Sequence, residues 1–405
     1  MKKKDLLILC QYFYPDAAST SRLPTELAED LCKKGLTIDA ICGYPSYIKT
    51  TDSPVPKYEK YNGIGIYRLK YPIFNKNKTL GRLLNYFSFS FLVLLKIFQF
   101  KKYENILIVS NPPLLPFFGF LSTKLFRNNF YYLIYDLYPD IAIALGAIGK
   151  DSLMAKVMNF INNCAFGTVK NIISIGDDMK QYLLNNKPQL RSEQITVIPN
   201  WVDSKKIKML PKDSQMQNEL GLANKFVVMY SGNIGLFQDL EMIIEAAEKL
   251  SNIKDLAFVF TGEGGKKAKL INMVNERKLE NVKFFGYFPD EIYDKVLSCA
   301  DCLVVTLEKS AEGLGVPSKT YTYLASGKPL LGILSENTDI GKMIESENIG
   351  FRVNQDEVSE FTDAILKLYN DKELSSKMGA KARSLLESKY DRSIATQKYF
   401  NLFKT

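Results

Sequence analysis

Three glycine-bearing loops and one lysine carry the clearest chemistry in this 405-residue chain. Each loop follows a short apolar run that reads as a buried strand: 226–230 before Ser231-Gly232-Asn233, 256–260 before Gly262-Glu263-Gly264-Gly265, and 301–307 before Gly313 and Gly315. Glycine lets backbone approach a ligand closely, and amides at the start of a following helix can hold phosphate oxygens. Lys319 stands beside Ser318 where such a helix opens, so it can neutralise a diphosphate there. Glu312, in the loop just before, can accept hydrogen bonds from a ribose diol or a sugar hydroxyl.

Composition narrows what else the chain can do. It has no histidine, which removes imidazole catalysis and most zinc chemistry. Carboxylates, lysines, hydroxyls and backbone amides remain, and the strand-end carboxylates Asp136 and Asp16 are the candidate bases. The formal charge of +9 favours anionic partners, namely a nucleotide, a diphosphate or an anionic lipid surface. Basic and aromatic residues do not cluster on one face, so nucleic acid is not expected as a partner. The six cysteines lack paired spacing and read as the buried thiols of a cytoplasmic protein.

These residues need a scaffold, and the chain supplies alternating strand and helix patterns from end to end. Residues 5–10 read as a first buried strand rather than the core of a signal peptide, because Gln11-Tyr12-Phe13-Tyr14-Pro15 follows at once. A helix over 25–34, opened by Ser21-Arg22-Leu23-Pro24, and a strand over 37–42 complete a β-α-β unit. The stretch 43–60 reads as a loop, and 205–225 as a polar, proline-containing link between domains. The fold class is therefore α/β, with two Rossmann-like, doubly wound domains facing a cleft. The expected bounds are 1–204 and 205–390, followed by a C-terminal helix over 391–405. The span 80–100 is apolar, with Lys76, Lys78 and Arg82 before its centre and Lys96, Lys101 and Lys102 after it. It fits either a buried helix or one leaning on an anionic bilayer, and is short for a membrane crossing.

Several short motifs follow one another along the chain: Tyr12-Phe13-Tyr14-Pro15, Ser110-Asn111-Pro112-Pro113, Asp136-Leu137-Tyr138-Pro139 and Pro199-Asn200-Trp201-Val202-Asp203. Tyr230-Ser231-Gly232-Asn233-Ile234-Gly235, Gly262-Glu263-Gly264, Gly315-Val316-Pro317-Ser318-Lys319 and Tyr323-Leu324-Ala325-Ser326-Gly327-Lys328-Pro329 complete the set. Their order and spacing resemble the GT-B glycosyltransferases of family 4, in the subgroup that builds bacterial capsule, O-antigen or exopolysaccharide repeat units. N-acetylfucosamine transferase-like proteins are similar. The resemblance implies a retaining transfer without an essential metal or cofactor, from a nucleotide-diphosphate sugar held by the second domain. A UDP-sugar is the expected donor, and its sugar an N-acetylated amino or deoxy sugar.

The implied acceptor is a polyprenyl-diphosphate-linked glycan on the first domain, and the implied location is the cytoplasmic face of the inner membrane, peripherally bound. Gly232 and Asn233 would face the cleft, with Gly262 and Gly264 on the nucleobase side. Gly315, Ser318 and Lys319 would grip the diphosphate, and the last helix would return to the first domain. Asp16, Ser19 and Arg22 fall on the acceptor side. Asp136, Lys319 and Glu312 are the residues expected to act in catalysis.

The chain departs from the family pattern at several points. Thr322 stands where a second glutamate is common, and Leu236 and Phe237 where a basic residue is common; Lys266 or Arg22 would have to supply that charge. Ala17, Ala18 and Ser19 replace a glycine pair. A nucleotide-sugar epimerase, a glycogen-type synthase and a non-catalytic partner in a polysaccharide assembly share the two-domain pattern. Turnover without an acceptor, activity on a soluble glucan, or no turnover would separate them.

Overall fold

The computed structural model describes residues 3–16, 18–46, 55–74, 79–235 and 238–404. Lys76, Lys78, Ala17, Leu236 and Phe237, all singled out above, lie outside the described residues. The chain divides into two compact units. One comprises Met1–Pro199, Gly313–Gly315 and Ser393–Thr405; the other comprises Asn200–Glu312 and Val316–Arg392.

The first unit begins with β1 (Lys4–Leu9), α1 (Ser19–Lys33), β2 (Ile38–Gly43), β3 (Tyr58–Tyr61), β4 (Ile64–Leu69) and α2 (Thr79–Leu94). It continues through β5 (Tyr103–Val109), α3 (Pro116–Phe126), β6 (Asn129–Ile134), α4 (Asp140–Ala144), α5 (Leu153–Phe166), β7 (Asn171–Ser174), α6 (Asp177–Asn186) and β8 (Ile195–Val197). The eight strands form one sheet in the order β3-β4-β2-β1-β5-β6-β7-β8, parallel except for the β3–β4 pair. Leu6 to Leu9 are fully buried, as expected of a central strand covered on both faces. Ile8 lies opposite Ala40 on one side and Leu107 on the other. Chain order reverses between β1 and β5, and in open α/β sheets the ligand crevice opens outside the carboxyl ends of the strands at that point. Asp16 follows β1, Ser110 to Pro113 follow β5, and Asp136 follows β6.

The second unit holds α7 (Ser214–Glu219), β9 (Phe226–Ser231), α8 (Glu241–Lys249), β10 (Leu256–Thr261), α9 (Lys267–Glu276), β11 (Val282–Phe285) and α10 (Asp290–Ser298). Then come β12 (Cys302–Thr306), α11 (Lys319–Ser326), β13 (Leu330–Ile333), α12 (Asp339–Ser346), β14 (Gly350–Val353), α13 (Val358–Asn370) and α14 (Lys372–Leu385). Its six strands are all parallel, in the order β11-β10-β9-β12-β13-β14. Two apolar layers sandwich the sheet. Along β9, Val227 and Met229 enter one layer while Val228 and Tyr230 enter the other, the two-residue period of a strand. Here chain order reverses between β9 and β12, so the Gly232 loop and the loop leading to α11 share the switch point. The last helix, α15 (Arg392–Lys404), belongs to the first unit from Ser393 onward. The Tyr131 hydroxyl donates to the Leu402 carbonyl at 3.3 Å, and the Tyr131 ring meets Phe403 edge-on at 4.9 Å.

Local differences from the sequence reading have physical causes. α1 begins at Ser19 rather than after Pro24, which lies inside it. The hydroxyl of Ser21 donates to the carbonyls of Asp16 and Ala18, and that of Thr25 to the carbonyl of Ser21, so side chains reinforce the turns around the proline. The segment 205–225 contains α7, and Met216, Leu220 and Leu222 are buried in the second core. Strand β3 begins at Tyr58, within the expected loop. The 80–100 span is a helix to Leu94 followed by a 3-10 turn from Ile97 to Lys102. Among the described residues no helix is long and apolar enough to cross a membrane. All six cysteines are free, and Cys10, Cys42, Cys299 and Cys302 are buried.

Candidate functional site

Helix α11 is tethered to the end of β9, and this brings Lys319 to the first glycine loop. The Ser231 amide donates to the Tyr323 hydroxyl at 2.8 Å, and that hydroxyl donates to the Ser231 carbonyl at 2.7 Å. The Ser231 hydroxyl is bonded in turn to Thr261 at 2.6 Å and to Tyr293 at 2.9 Å. Residues 320 to 326 are all buried, and the helix stops at Gly327, whose φ of 68° is the left-handed cap that glycine allows. Ser318 precedes the helix with its hydroxyl unused as a cap. The Thr320 amide donates to the Pro317 carbonyl at 3.1 Å, and the other first-turn amides and that hydroxyl are available to an anion.

Lys319 points back across the strand end. Its ammonium donates to the Tyr230 hydroxyl and lies 3.7 Å from the centre of the Tyr230 ring. The Tyr230 hydroxyl itself donates to the Asn233 carbonyl at 2.7 Å. A Cβ placed on Gly232 would sit 3.4 Å from Lys319 Cε and 3.5 Å from Nζ. Lys319 is half-buried, and among the described residues it has no carboxylate partner. Desolvation holds its ammonium well below the usual lysine range. Gly232, Asn233, Ser318 and Lys319 therefore form one cluster, built around an amine without a counter-charge.

The second glycine loop serves packing. A Cβ on Gly262 would stand 1.9 Å from the Gly232 carbonyl oxygen, and one on Gly264 2.2 Å from that of Ile234. The loops continue the β9–β10 ladder, with the Gly232 amide donating to Thr261 at 2.8 Å and the Ile234 amide to Glu263 at 2.9 Å. These glycines let backbone approach backbone, which fixes the shape of the Gly232 loop.

Lys266 is committed elsewhere. Its ammonium pairs with Glu241 at 3.0 Å and Glu308 at 2.9 Å, and burial is outweighed by these carboxylates, which raise its pKa. It is not a spare cation. Glu312 is half-buried, and its Oε1 is a buried oxygen without a hydrogen-bond partner among the described residues. Thr322 is buried at 8% exposure on α11.

In the first unit, Asp136 is aimed by the turn after β6. The Ser110 hydroxyl accepts from the Tyr135 amide at 3.1 Å and from the Asp136 amide at 3.3 Å. Asp136 and Gly315, both in this unit, pair as an isolated antiparallel bridge. Burial raises the Asp136 carboxyl to about 6. Asp16 is buried and accepts from the Ser46 amide at 3.2 Å. Ser19 opens α1, and one turn on the Arg22 Nε is buried without a partner among the described residues. Asn111 Oδ1, after β5, is in the same condition. Among the described residues no group of three or more histidine, cysteine or acidic side chains could hold a metal ion.

Sequence reasoning missed Tyr230, Tyr323 and Ser231. A tyrosine near a strand end is ordinary in a sequence. Its partner 89 residues away is visible only once β9 and α11 are in place.

Comparison with known proteins adds an independent line. Residues 212–385 match the family described as glycosyl transferases group 1. The chain is 28% identical to the probable glycosyltransferase WbjE of Pseudomonas aeruginosa, over 82% of each chain. It is 25% identical to the putative colanic acid biosynthesis glycosyl transferase WcaI of Escherichia coli strain K12, over 82% of this chain and 84% of that one. Among solved structures, Anabaena Alr3699/HepE in complex with UDP and glucose superposes with a TM-score of 0.76 at 17% identity, covering 99% of both chains. At that identity the likeness bears on the fold alone.

Proposed function

We propose that this chain is a glycosyltransferase of family 4 with the GT-B fold, related to bacterial capsule, colanic-acid and O-antigen enzymes, that its donor is a UDP-sugar and that its acceptor is a polyprenyl-diphosphate-linked glycan. The second unit takes the donor and the first unit the acceptor. The observation that carries this reading is the half-buried, unpaired Lys319 beside Gly232 and the first turn of α11. A cation in such a place is costly unless an anion completes it.

The residues then have separate tasks. Lys319, the α11 amides and the Ser318 hydroxyl stabilise the negative charge that builds on the diphosphate as its bond to the anomeric carbon breaks. Glu312 Oε1 accepts from a hydroxyl of the donor. Asp136 accepts the proton of the acceptor hydroxyl as that oxygen bonds to the anomeric carbon, a task suited to a carboxyl near 6. Arg22, Ser19 and Asp16 position the acceptor, and transfer retains the anomeric configuration. The test supplies a panel of nucleotide sugars and a polyprenyl-diphosphate-sugar, then reads released nucleotide and the anomeric configuration of the product by NMR. Consumption of donor with inversion would overturn the retaining assignment, and release of UDP only with a soluble glucan would overturn the acceptor.

A lipid-linked acceptor calls for a membrane contact, and α2 supports one. Leu84, Phe87, Phe91, Leu95 and Phe98 recur at helical spacing and are 40%, 49%, 61%, 63% and 69% exposed. Phe89, Val93, Ile97 and Phe100 on the other side are buried. Arg82, Lys96, Lys101 and Lys102 border the exposed stripe, which suits an anionic bilayer at the cytoplasmic face of the inner membrane. Phe87→Ser combined with Phe91→Ser is expected to cut co-sedimentation with anionic vesicles by about tenfold, with the circular dichroism spectrum unchanged. Unchanged sedimentation would remove this stripe as the contact.

A further inference from the structure

The charge balance around Lys319 carries a consequence for ligand binding. The group that meets its ammonium is a phenol, Tyr230 of β9, and the groups around Tyr230 and the Ser231 strand end are phenols too: Tyr323 from α11, Tyr293 from α10, and Tyr287 from the segment leading into α10. Tyr230 and Tyr323 are pushed well above the ordinary phenol range, chiefly by burial, so neither supplies a phenolate. The carboxylate of the neighbouring loop, Glu263, is bound to Lys267 at 2.6 Å, and Glu308 is bound to Lys266. Among the described residues no carboxylate pairs with the Lys319 ammonium; Glu312, in the loop before α11, keeps an oxygen without a hydrogen-bond partner and makes no ion pair with it.

We propose that the donor site binds a nucleoside diphosphate and a proton together, the proton going to Lys319 Nζ. In the empty site the amine rests neutral on the Tyr230 ring and hydroxyl. The arriving diphosphate supplies the missing negative charge, and the amine takes a proton from solvent to become its partner. When the product nucleotide leaves, the proton leaves with it, so release is not held back by a permanent ion pair. Nucleotide affinity therefore falls as pH rises, although the nucleotide itself gains no further charge: its terminal phosphate has lost its second proton by about pH 7, a group of pKa about 6. This rests on the donor reading of the same site.

The test is calorimetric. UDP and GDP are titrated separately into the full-length protein at pH 8.5, in three buffers of different ionisation enthalpy, and the number of protons taken up is read from the dependence of the heat on buffer. The wild-type protein is expected to take up about one proton per nucleotide, and its affinity to fall about tenfold per pH unit across the titration of the amine. Lys319→Arg, whose guanidinium stays charged throughout, should bind with no such uptake and a flat affinity profile. Lys319→Gln serves as a second variant, because it removes the proton-binding group while staying polar; it should bind more weakly and equally flatly. Equal proton uptake in the wild-type protein and both variants would overturn the inference and leave the donor site standing. Failure of the folded wild-type protein to bind either nucleotide would overturn both.

Discussion

Asp136→Asn is expected to slow transfer by about 10² to 10⁴-fold while making the folded protein more stable at neutral pH. Both effects have one cause. Burial raises the carboxyl from its usual value to about 6, and among the described residues no cation lies beside it to offset the charge. The folded state thus binds a proton more tightly than the unfolded chain does. Stability from this group is fully present below the unfolded value near 4, and is lost as pH rises through about 6. At pH 8 the wild-type protein carries the whole cost, on the order of 3 kcal/mol, and the amide variant does not. Denaturant unfolding at pH 4 and pH 8 checks this: the two proteins should be nearly equal at pH 4 and separate at pH 8. The rate of the wild-type enzyme should rise with pH through about 6, as the base loses its proton. An Asn variant with wild-type turnover would show that the carboxylate takes no proton from the acceptor.

Lys319→Met is the second large change. The unbranched apolar side chain keeps much of the volume against the Tyr230 ring and removes the unpaired amine. Catalytic efficiency with the donor is expected to fall by about 10² to 10³-fold, the loss seen when one group stabilising developing charge is deleted. Stability moves the other way. The folded pKa of Lys319 lies well below the unfolded one, so the folded state binds fewer protons and wild-type stability rises with pH toward the unfolded value of 10.5. The Met variant should be the more stable protein at pH 7 and should lose that slope. A variant less stable than wild type at every pH would show that the amine of Lys319 is held by favourable contacts and is not an uncompensated group.

How much of this was legible before the fold was known differs from residue to residue. The strands β9 and β12 are continuous apolar runs, and parallel sheets make that pattern easy to read. The glycines after them and Lys319 beside Ser318 stood out for the same reason, because ligand loops follow buried strands. The purpose of those glycines did not. Gly262 and Gly264 looked ligand-facing, yet the backbone of the neighbouring loop stands within 2.2 Å of where their Cβ atoms would be. Only the pairing of two loops 30 residues apart makes that visible. Lys266 and Lys319 are equivalent as letters. One is paired with Glu241 and Glu308, the other lies alone on a tyrosine, and charge state follows from those partners rather than from residue type. The sequence pattern starts α1 after Pro24 because proline is a good helix opener in general, whereas the hydroxyls of Ser21 and Thr25 support the turns around it and the helix begins at Ser19. α7 is a six-residue helix, too short for its apolar period to rise above the polar residues around it.

The proposed reaction moves a sugar from a nucleoside diphosphate to a lipid-linked glycan. Mass spectrometry of the lipid fraction tests it most directly, after the wild-type protein and Lys319→Met have each been incubated with the accepted nucleotide sugar and a polyprenyl-diphosphate-sugar. The predicted result is a lipid heavier by one sugar residue, with an equal amount of nucleoside diphosphate released, and both sharply reduced in the variant. Nucleoside diphosphate released into water with no heavier lipid, or equal product from both proteins, would contradict it.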